Sequence, residues 1–459
     1  MKKGFILLLI VFIVNSNIFA QQAFVHDKSD GYIPPQEPEV QQKLDTWQDL
    51  KFGVLFHWGL YSVPGIVESW SICSEDVEWI SRDTTMTYEE YKKWYWGLKD
   101  EFNPTDFNPD QWASVMEKAG MKYVIFTTKH HDGFNMFDTK QTDFSIANGP
   151  FKNNPKADVA KYVFEAFRKK DFMIGAYFSK PDWHSQYYWW DRFASPNRSV
   201  NYKIERHPQR WEKFKEFTYN QLNEITSQYG DIDILWLDGG WVSAPSQDID
   251  MDNIAKMVRK NQPGILIVDR TIQGKYENYQ TPERSIPETQ LPYPWESCIT
   301  LSNDWGWVPN APYKSAQQVI NMLAEITAKG GCLLLGVGPT AQGIIETPAV
   351  ERLEKVGEWL KVNGEGIYNT RITKNYNSGN IWFTANKNNK TIYAIYALPE
   401  GETLPENIHW EGNPPKKGTK MTLLQNNKRM KWSTKNGKTT VILPKILKQE
   451  PLVLKFDMD

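Results

Sequence analysis

Cysteine is scarce: 459 residues carry three, Cys73, Cys298 and Cys332. So odd and sparse a set excludes a disulfide framework as the brace of the fold, and none of the three has metal-ligand spacing. Charge of one sign is not in excess either. With 53 Lys and Arg against 55 Asp and Glu, there is no basic surplus to draw a polyanion, and nucleic acid is not an expected partner. No internal repeat is present, and no low-complexity tract is longer than a turn. An apolar run of the ~20 residues that span a bilayer is also missing. The shorter stretch from Phe5 to Val14, behind Lys2 and Lys3 and ahead of Ala20, reads as a secretory signal over 1–20. No Cys follows it to take a lipid, so the expectation is an exported, soluble mature chain starting near Gln21, periplasmic or extracellular.

What is present suits two domains. Between about 45 and 360, short runs rich in Val, Ile, Leu and Phe (51–57, 123–129, 172–179, 232–238, 265–269 and 332–337) alternate with amphipathic stretches such as 156–170 and 315–329. That alternation predicts repeated β-α units around a buried parallel sheet, a (β/α)8-type barrel over 21–365. After about Gly366 the pattern changes to apolar and polar residues in alternation between Gly, Pro and Asn turns. A small antiparallel β-sandwich over 366–459 is expected there.

In a β/α barrel the site lies at the C-terminal strand ends, so the polar residues that close each apolar run matter most. The runs close on His57-Trp58-Gly59, on Lys129-His130-His131-Asp132-Gly133, on Tyr177 leading into Ser179, on Trp236-Leu237-Asp238-Gly239-Gly240-Trp241, and on Asp269-Arg270. Three of the seven His reach one rim. Asp238 is the sharpest signal: the strand holds its carboxylate, and two glycines behind it leave room for a ligand, although the same position could cap a following helix. Several of the 20 Trp lie nearby, among them Trp58, Trp70, Trp183, Trp236 and Trp241. Flat apolar faces with an N–H handle suit sugar rings. Glycoside hydrolysis needs a second carboxyl group. The Pro-rich stretch 278–298, expected to be an irregular loop reaching over the barrel mouth, offers Glu283, Glu288 and Glu296.

The segments Lys51-Phe52-Gly53-Val54-Leu55-Phe56-His57-Trp58-Gly59, Lys129-His130-His131-Asp132-Gly133-Phe134, Leu235-Trp236-Leu237-Asp238-Gly239, Thr281-Pro282-Glu283 and Trp295-Glu296-Ser297-Cys298 together resemble the α-L-fucosidases of glycoside hydrolase family 29, in order, over roughly 40–370. The resemblance implies a (β/α) barrel followed by a β-sandwich, and removal of terminal α-linked L-fucose by double displacement with retention. It makes Asp238 the nucleophile and Glu283 the leading acid/base, with Glu288 next. It makes His57, His130 and His131 ligands of the fucose hydroxyls, and Tyr177, Trp236, Arg270 and Glu296 further pocket residues, Glu296 being also the third candidate acid. Glu68 and Trp70 resemble a Glu-Trp pair that the family uses on the sugar, but here Ser69 intervenes. The expected partner is a fucosylated glycan, with no cofactor.

A metal-dependent hydrolase on the same barrel could draw His57, His130, His131 and Asp238 as ligands. The His-x-His pair that often opens such sites is missing, because residue 59 is Gly. No metal is expected.

Overall fold

The structure is a computed structural model that describes residues 31–75 and 80–458; the expected signal over 1–20 lies outside them. Seven parallel strands, β1 Phe52–Phe56, β2 Tyr123–Lys129, β3 Met173–Ser179, β4 Ile234–Asp238, β5 Leu266–Asp269, β6 Glu296–Thr300 and β7 Cys332–Val337, form one sheet in the order β5-β4-β3-β2-β1-β7-β6. Helix α1 (Pro38–Leu50) precedes β1. The connections carry α2 (Tyr88–Gly97), α3 (Pro109–Lys118), α4 (Val159–Arg168), α5 (Pro208–Gln228), α6 (Met251–Asn261), α7 (Ala316–Ala328) and α8 (Thr347–Asn363). Pro38, Pro109 and Pro208 open their helices, where the missing N–H costs nothing. Ser315 and Gln318 close a capping box on α7, an arrangement worth about 1 kcal/mol through the Ser alone.

The sheet is curled. In a flat sheet β4 and β6 would lie about 24 Å apart, five spacings of ~4.8 Å, yet Trp236 of β4 donates to Glu296 of β6 at 3.2 Å. Side chains alternate accordingly. Leu55, Ile125, Tyr177, Ile234, Trp236, Val268, Cys298 and Leu334 share the concave core with Val40, Leu44 and Trp47 of α1, which plugs one end. Val54, Phe126, Phe178, Leu237, Ile267 and Leu335 pack outward in the cluster that includes the helices.

Between the edge strands β5 and β6, the segment 277–284 bonds to both. Asn278 N–H donates to Ile267 O at 2.9 Å, Glu296 N–H to Gln280 O at 2.7 Å, and Cys298 N–H to Pro282 O at 3.1 Å. The stretch 278–298 therefore differs from its expectation: it is no free loop, and it contains β6. Three features hid that strand. It is five residues long, it follows Pro292 and Pro294, and its inward positions are Glu296 and Cys298 rather than branched aliphatics.

Two antiparallel sheets follow. Thr370–Ser378, Ile381–Asn386, Thr391–Tyr396 and Leu452–Asp457, with the short Thr422–Leu423 and Lys428–Arg429, make a six-stranded sheet; Asn407–Glu411, Lys431–Lys435 and Lys438–Ile442 make a three-stranded one. Phe383, Ile392 and Leu454 of the first share a core with Trp410 and Val441 of the second. This region is tied to α1 by Arg371 and Lys387, each donating to Asp49 at 2.6 Å. Among the described residues no helix is long and apolar enough to cross a membrane.

Candidate active site

The C-terminal strand ends surround a cavity of about 330 Å³ lined by His57, Glu68, Trp70, His130, His131, Tyr177, Trp236, Asp238, Arg270 and Glu283, together with Arg198, Trp241, Thr271, Arg284, Asp304 and Trp305. The pleat explains most of this list. Tyr177, Trp236 and Val268 face the concave side, so Ser179, Asp238 and Arg270, two residues further on, face it as well. A bulge at Thr127–Lys129 brings in the histidines. It sets Lys129 opposite Phe178, which points outward. Lys129 accordingly reaches Gln221 of α5 at 3.1 Å and Asp182 at 3.2 Å. Paired regularly, with Thr128 opposite Phe178, the same residues would turn Lys129 inward and His130 away. With the bulge, and with the strand finished, the rings of His130 and His131 lie 4.3 Å apart.

Asp238 is held from three sides. Arg270 Nη1 donates to its Oδ1 at 2.7 Å, Tyr177 O–H to its Oδ2 at 2.6 Å, and His131 Nε2 lies 3.7 Å from Oδ2. Burial pushes the Asp238 carboxyl up, but the guanidinium and these neighbours override it and hold the group well below the usual carboxylate range. It is ionised at any working pH. The other terminal nitrogen of Arg270, Nη2, donates to Glu283 Oε2 at 2.8 Å, and Nε to Thr281 Oγ1 at 3.0 Å. One buried cation thus joins two carboxyl groups across the cavity. The guanidinium also lies 4.3 Å over the Trp236 ring.

The two glycines after Asp238 make room for backbone as well as ligand. A Cβ on Gly240 would sit 1.8 Å from Thr271 Oγ1. Thr271 itself has φ 65, a left-handed conformation that a β-branched residue rarely adopts, held by its N–H bond to Glu277 Oε1 at 3.0 Å. Asp238 does not cap the next helix; Asp250 does.

Burial keeps the imidazoles neutral. It lowers His57 to about 3 and His131 to about 4, and holds His130 well below its ordinary value. Burial acts oppositely on Glu68, raising it to about 7. His57 Nδ1 and Glu68 Oε2 have no hydrogen-bond partner within the described residues. Both residues line the cavity, so these atoms are open to hydrogen bonds with the hydroxyls of a ligand. Ser69, the residue between Glu68 and Trp70, turns inward and bonds His130 Nδ1 at 2.5 Å.

The donor atoms of His130, His131 and Asp238 lie within 4.8 Å of one another, the spacing of a metal triad. The chemistry is wrong for a dication: both Asp238 oxygens already accept bonds, and the buried cation of Arg270 stands beside them.

A model of the α-L-fucosidase family matches residues 19–365, and one of the α-L-fucosidase C-terminal domain matches 374–456. The chain belongs to the α-L-fucosidase family, glycoside hydrolase family 29. It is 29% identical over 385 residues to human plasma α-L-fucosidase, covering 80% of this chain and 78% of that one. Among solved structures, α-L-fucosidase isoenzyme 1 from Paenibacillus thiaminolyticus superposes with a TM-score of 0.76 at 27% identity, over 92% of this chain and 100% of that one. The Thermotoga maritima α-fucosidase in complex with fucose does so with a TM-score of 0.71 at 27% identity, over 93% and 97%.

For a member of that family, two of the expected site residues stand in unexpected places. Glu288 is exposed and not part of the cavity lining; its Pro-Glu pair resembles that of Glu283, but only residues up to Arg284 are held between β5 and β6. Glu296 is buried on β6 below the lining, where Oε2 accepts from Tyr123 O–H at 2.7 Å and Oε1 from Trp236 Nε1. Because β6 is a strand, its first residue faces the core and not the mouth. Trp241 had a sequence signal as a strand-end Trp. Arg198, Arg284 and Asp304 had none, since they come from loops that follow no period. Arg198 is set by a bidentate pair with Glu75 and stacks 4.6 Å over Trp70.

Burial raises Glu296 to about 7, against ~4.3 for a free Glu. Stability tied to this group is therefore complete below pH ~4.3, declines as pH rises toward 7, and is constant above. Glu296→Gln keeps an oxygen to accept from Trp236 Nε1 and turns an N–H toward the Tyr123 oxygen, whose own proton passes to Leu333 O, without the charge. Its Tm is expected to equal that of the wild type at pH 5 and to match or exceed it at pH 8, with kcat within threefold. A lower Tm at pH 8 than the wild type contradicts this.

Proposed function

We propose that this chain is an exported, exo-acting, retaining α-L-fucosidase that removes terminal α-linked L-fucose from glycans through a glycosyl-enzyme ester on Asp238. In this reading the segment 277–284 serves as the eighth stave of a (β/α)8 barrel over 21–365, followed by a β-sandwich over 366–459, and residues 1–20 are a signal removed on export. The observation that carries the reading is the single guanidinium of Arg270 joined to both Asp238 and Glu283.

The charge balance explains why such a pairing works. Arg270 offers one positive charge to two carboxyl groups. In this reading Glu283, held on the same guanidinium as Asp238, supplies the proton that the leaving oxygen needs. Asp238 attacks the anomeric carbon, the glycosidic bond breaks, and the proton passes from Glu283 to the departing alcohol. Once Asp238 is an ester it carries no charge. The guanidinium is then left for Glu283 to balance as a carboxylate, the form that takes a proton from water as the ester is cleaved. Neutral His57, His130 and His131, with Glu68 and Trp70, present donors, acceptors and an apolar face to the fucose ring. A cavity at the small end of the ~300–1,000 Å³ range of ligand sites suits one sugar and hence a chain end. The T. maritima relative, solved in complex with fucose and with a mechanism-based inhibitor, supports the same substrate class.

Purified protein incubated with an aryl α-L-fucoside is expected to release α-fucose first, followed by proton NMR before mutarotation. First release of the β anomer, or no release, overturns the reading. Glu283→Ala is expected to slow a fucosyl disaccharide by about 10²-fold, the scale of general acid catalysis. The same variant should slow glycosylation by an activated aryl fucoside far less, because a phenolate leaves with little protonation. If Glu288→Ala shows that leaving-group dependence instead, the acid belongs there.

A further inference from the structure

Three side chains close a ring with one oxygen of Asp238. Tyr177 O–H donates to Oδ2 at 2.6 Å, His131 Nε2 lies 3.7 Å from the same atom, His131 Nδ1 is 2.8 Å from Ser179 Oγ, and Ser179 Oγ is 3.3 Å from the Tyr177 oxygen. Ser179 sits on the concave face of β3 two residues after Tyr177, fully buried, and it does not line the cavity. Each hydroxyl in the ring has one proton to give. That of Tyr177 goes to Asp238, so the Tyr177 oxygen can only accept from Ser179. Ser179 can give its proton to Tyr177 or, at the shorter distance, to His131 Nδ1.

The two choices present opposite faces of His131 to Asp238. If Ser179 gave its proton to Tyr177, Nδ1 would carry the imidazole proton, and the Nε2 lone pair would face an ionised carboxylate. If Ser179 gives it to Nδ1, the imidazole proton sits on Nε2 and points at that carboxylate. The second arrangement replaces a repulsion by an attraction in a water-poor site.

We infer that Ser179 is a positioning residue that donates to His131 Nδ1, fixes the Nε2–H tautomer and thereby adds a donor aimed at Oδ2 of Asp238. Removing the hydroxyl leaves Nδ1 buried without a partner and frees the ring to adopt either tautomer. Ser179 does not line the cavity and acts through His131, whose Nε2 lies near Asp238, so its loss should fall more heavily on the chemical step than on the docking of substrate.

The inference rests on Asp238 as nucleophile, but its first test is independent of activity. In wild-type protein labelled with 15N-histidine, with the His131 signals identified by their loss in His131→Asn, Nδ1 should resonate as an unprotonated imine-type nitrogen and Nε2 as a protonated pyrrole-type one. The opposite pattern overturns the inference even if the enzyme is a fully active fucosidase. In kinetics, Ser179→Ala should lower kcat 10- to 100-fold with KM within threefold, and Ser179→Thr, which keeps the hydroxyl, should recover kcat to within about threefold. Alanine and threonine variants equally impaired indicate a packing role and overturn it, as does an alanine variant with wild-type kcat. If Asp238→Gly proves fully active while the tautomer is as stated, the nucleophile reading fails and the hydrogen-bond assignment survives.

Discussion

Asp238→Gly is expected to lower kcat on a fucosyl disaccharide by about 10⁴-fold or more, equivalent to ~5 kcal/mol of transition-state stabilisation. In the proposed mechanism the carboxylate does two jobs that no neighbour can take over: it forms the bond to the anomeric carbon, and its charge faces the positive character that develops on the ring. The cavity contains other carboxyl groups, Glu68, Glu283 and Asp304, but only Asp238 projects from a strand end with Tyr177 and Arg270 aiming its two oxygens. The fold should tolerate the change. Arg270 retains Glu283 and Thr281 as partners, so no cation is left buried alone, and a glycine at the end of β4 continues a turn already made by Gly239 and Gly240. Azide is small enough to enter the space the carboxylate leaves. With an aryl fucoside whose leaving group needs no acid, azide should restore measurable turnover and yield β-fucosyl azide by a single displacement. A variant that turns over at near wild-type rate without azide overturns the nucleophile assignment, and one that aggregates is distinguished by its Tm.

Arg270→Met should damage both stability and rate. The guanidinium is buried, and its removal leaves two carboxyl groups sharing a cavity with no cation between them. Breaking a buried pair by deleting one partner costs about 3–5 kcal/mol, to be read as a fall in Tm. Rate should fall by about 10³-fold at pH 7 as the charge exchange between Asp238 and Glu283 is lost. The pH profile gives the sharper reading. Asp238 is held below the ordinary carboxylate range chiefly by Arg270, with His131 and Tyr177 adding to it. Stability from this group is therefore present above its unfolded value of ~3.9 and is lost only as pH falls through the depressed folded value. Without Arg270 burial pushes the folded value up, so the acid limb of kcat/KM should move to higher pH, and the Tm deficit against the wild type should be largest near neutrality and shrink as falling pH protonates Asp238. Arg270→Met combined with Asp238→Asn removes one of the two facing charges and should recover much of the lost Tm while remaining inactive. An unmoved acid limb in the single variant, or a double variant less stable than the single, contradicts the pairing.

What the sequence made legible was the chemistry at the ends of regular strands. Asp238, Tyr177 and Arg270 follow from apolar runs whose alternation carries two further residues inward, and His57 follows from Leu55 in the same way. His130 and His131 were visible as a pair, but their convergence depends on a bulge that leaves no mark in the pattern of Tyr123–Lys129, because every residue of that strand is buried. The irregular stretch between β5 and β6 was the least legible. Proline-rich backbone that fills a gap between two strands looks like a free loop until its partners are known, and its three glutamates look alike until one is found on Arg270, one in solvent and one beneath Trp236. Arg198 is a different case, since the ring stack and the Glu75 pair that place it join loops more than a hundred residues apart.

The bulge at Thr127–Lys129 also governs what this scaffold can exchange with others. The Lys-His-His-Asp motif is arrayed as it is because the ladder skips one backbone residue, which turns the lysine toward α5 and the first imidazole toward the cavity. Grafted onto an ideal strand of another enzyme, the same four residues would deliver one ring to the cavity and bury the other among helices. Thr128 is the residue that the ladder skips, so a chain lacking it would set Lys129 opposite Phe178 in a regular strand and keep both facings. The aim of the motif is thus set by its register against β3, not by the number of residues in β2.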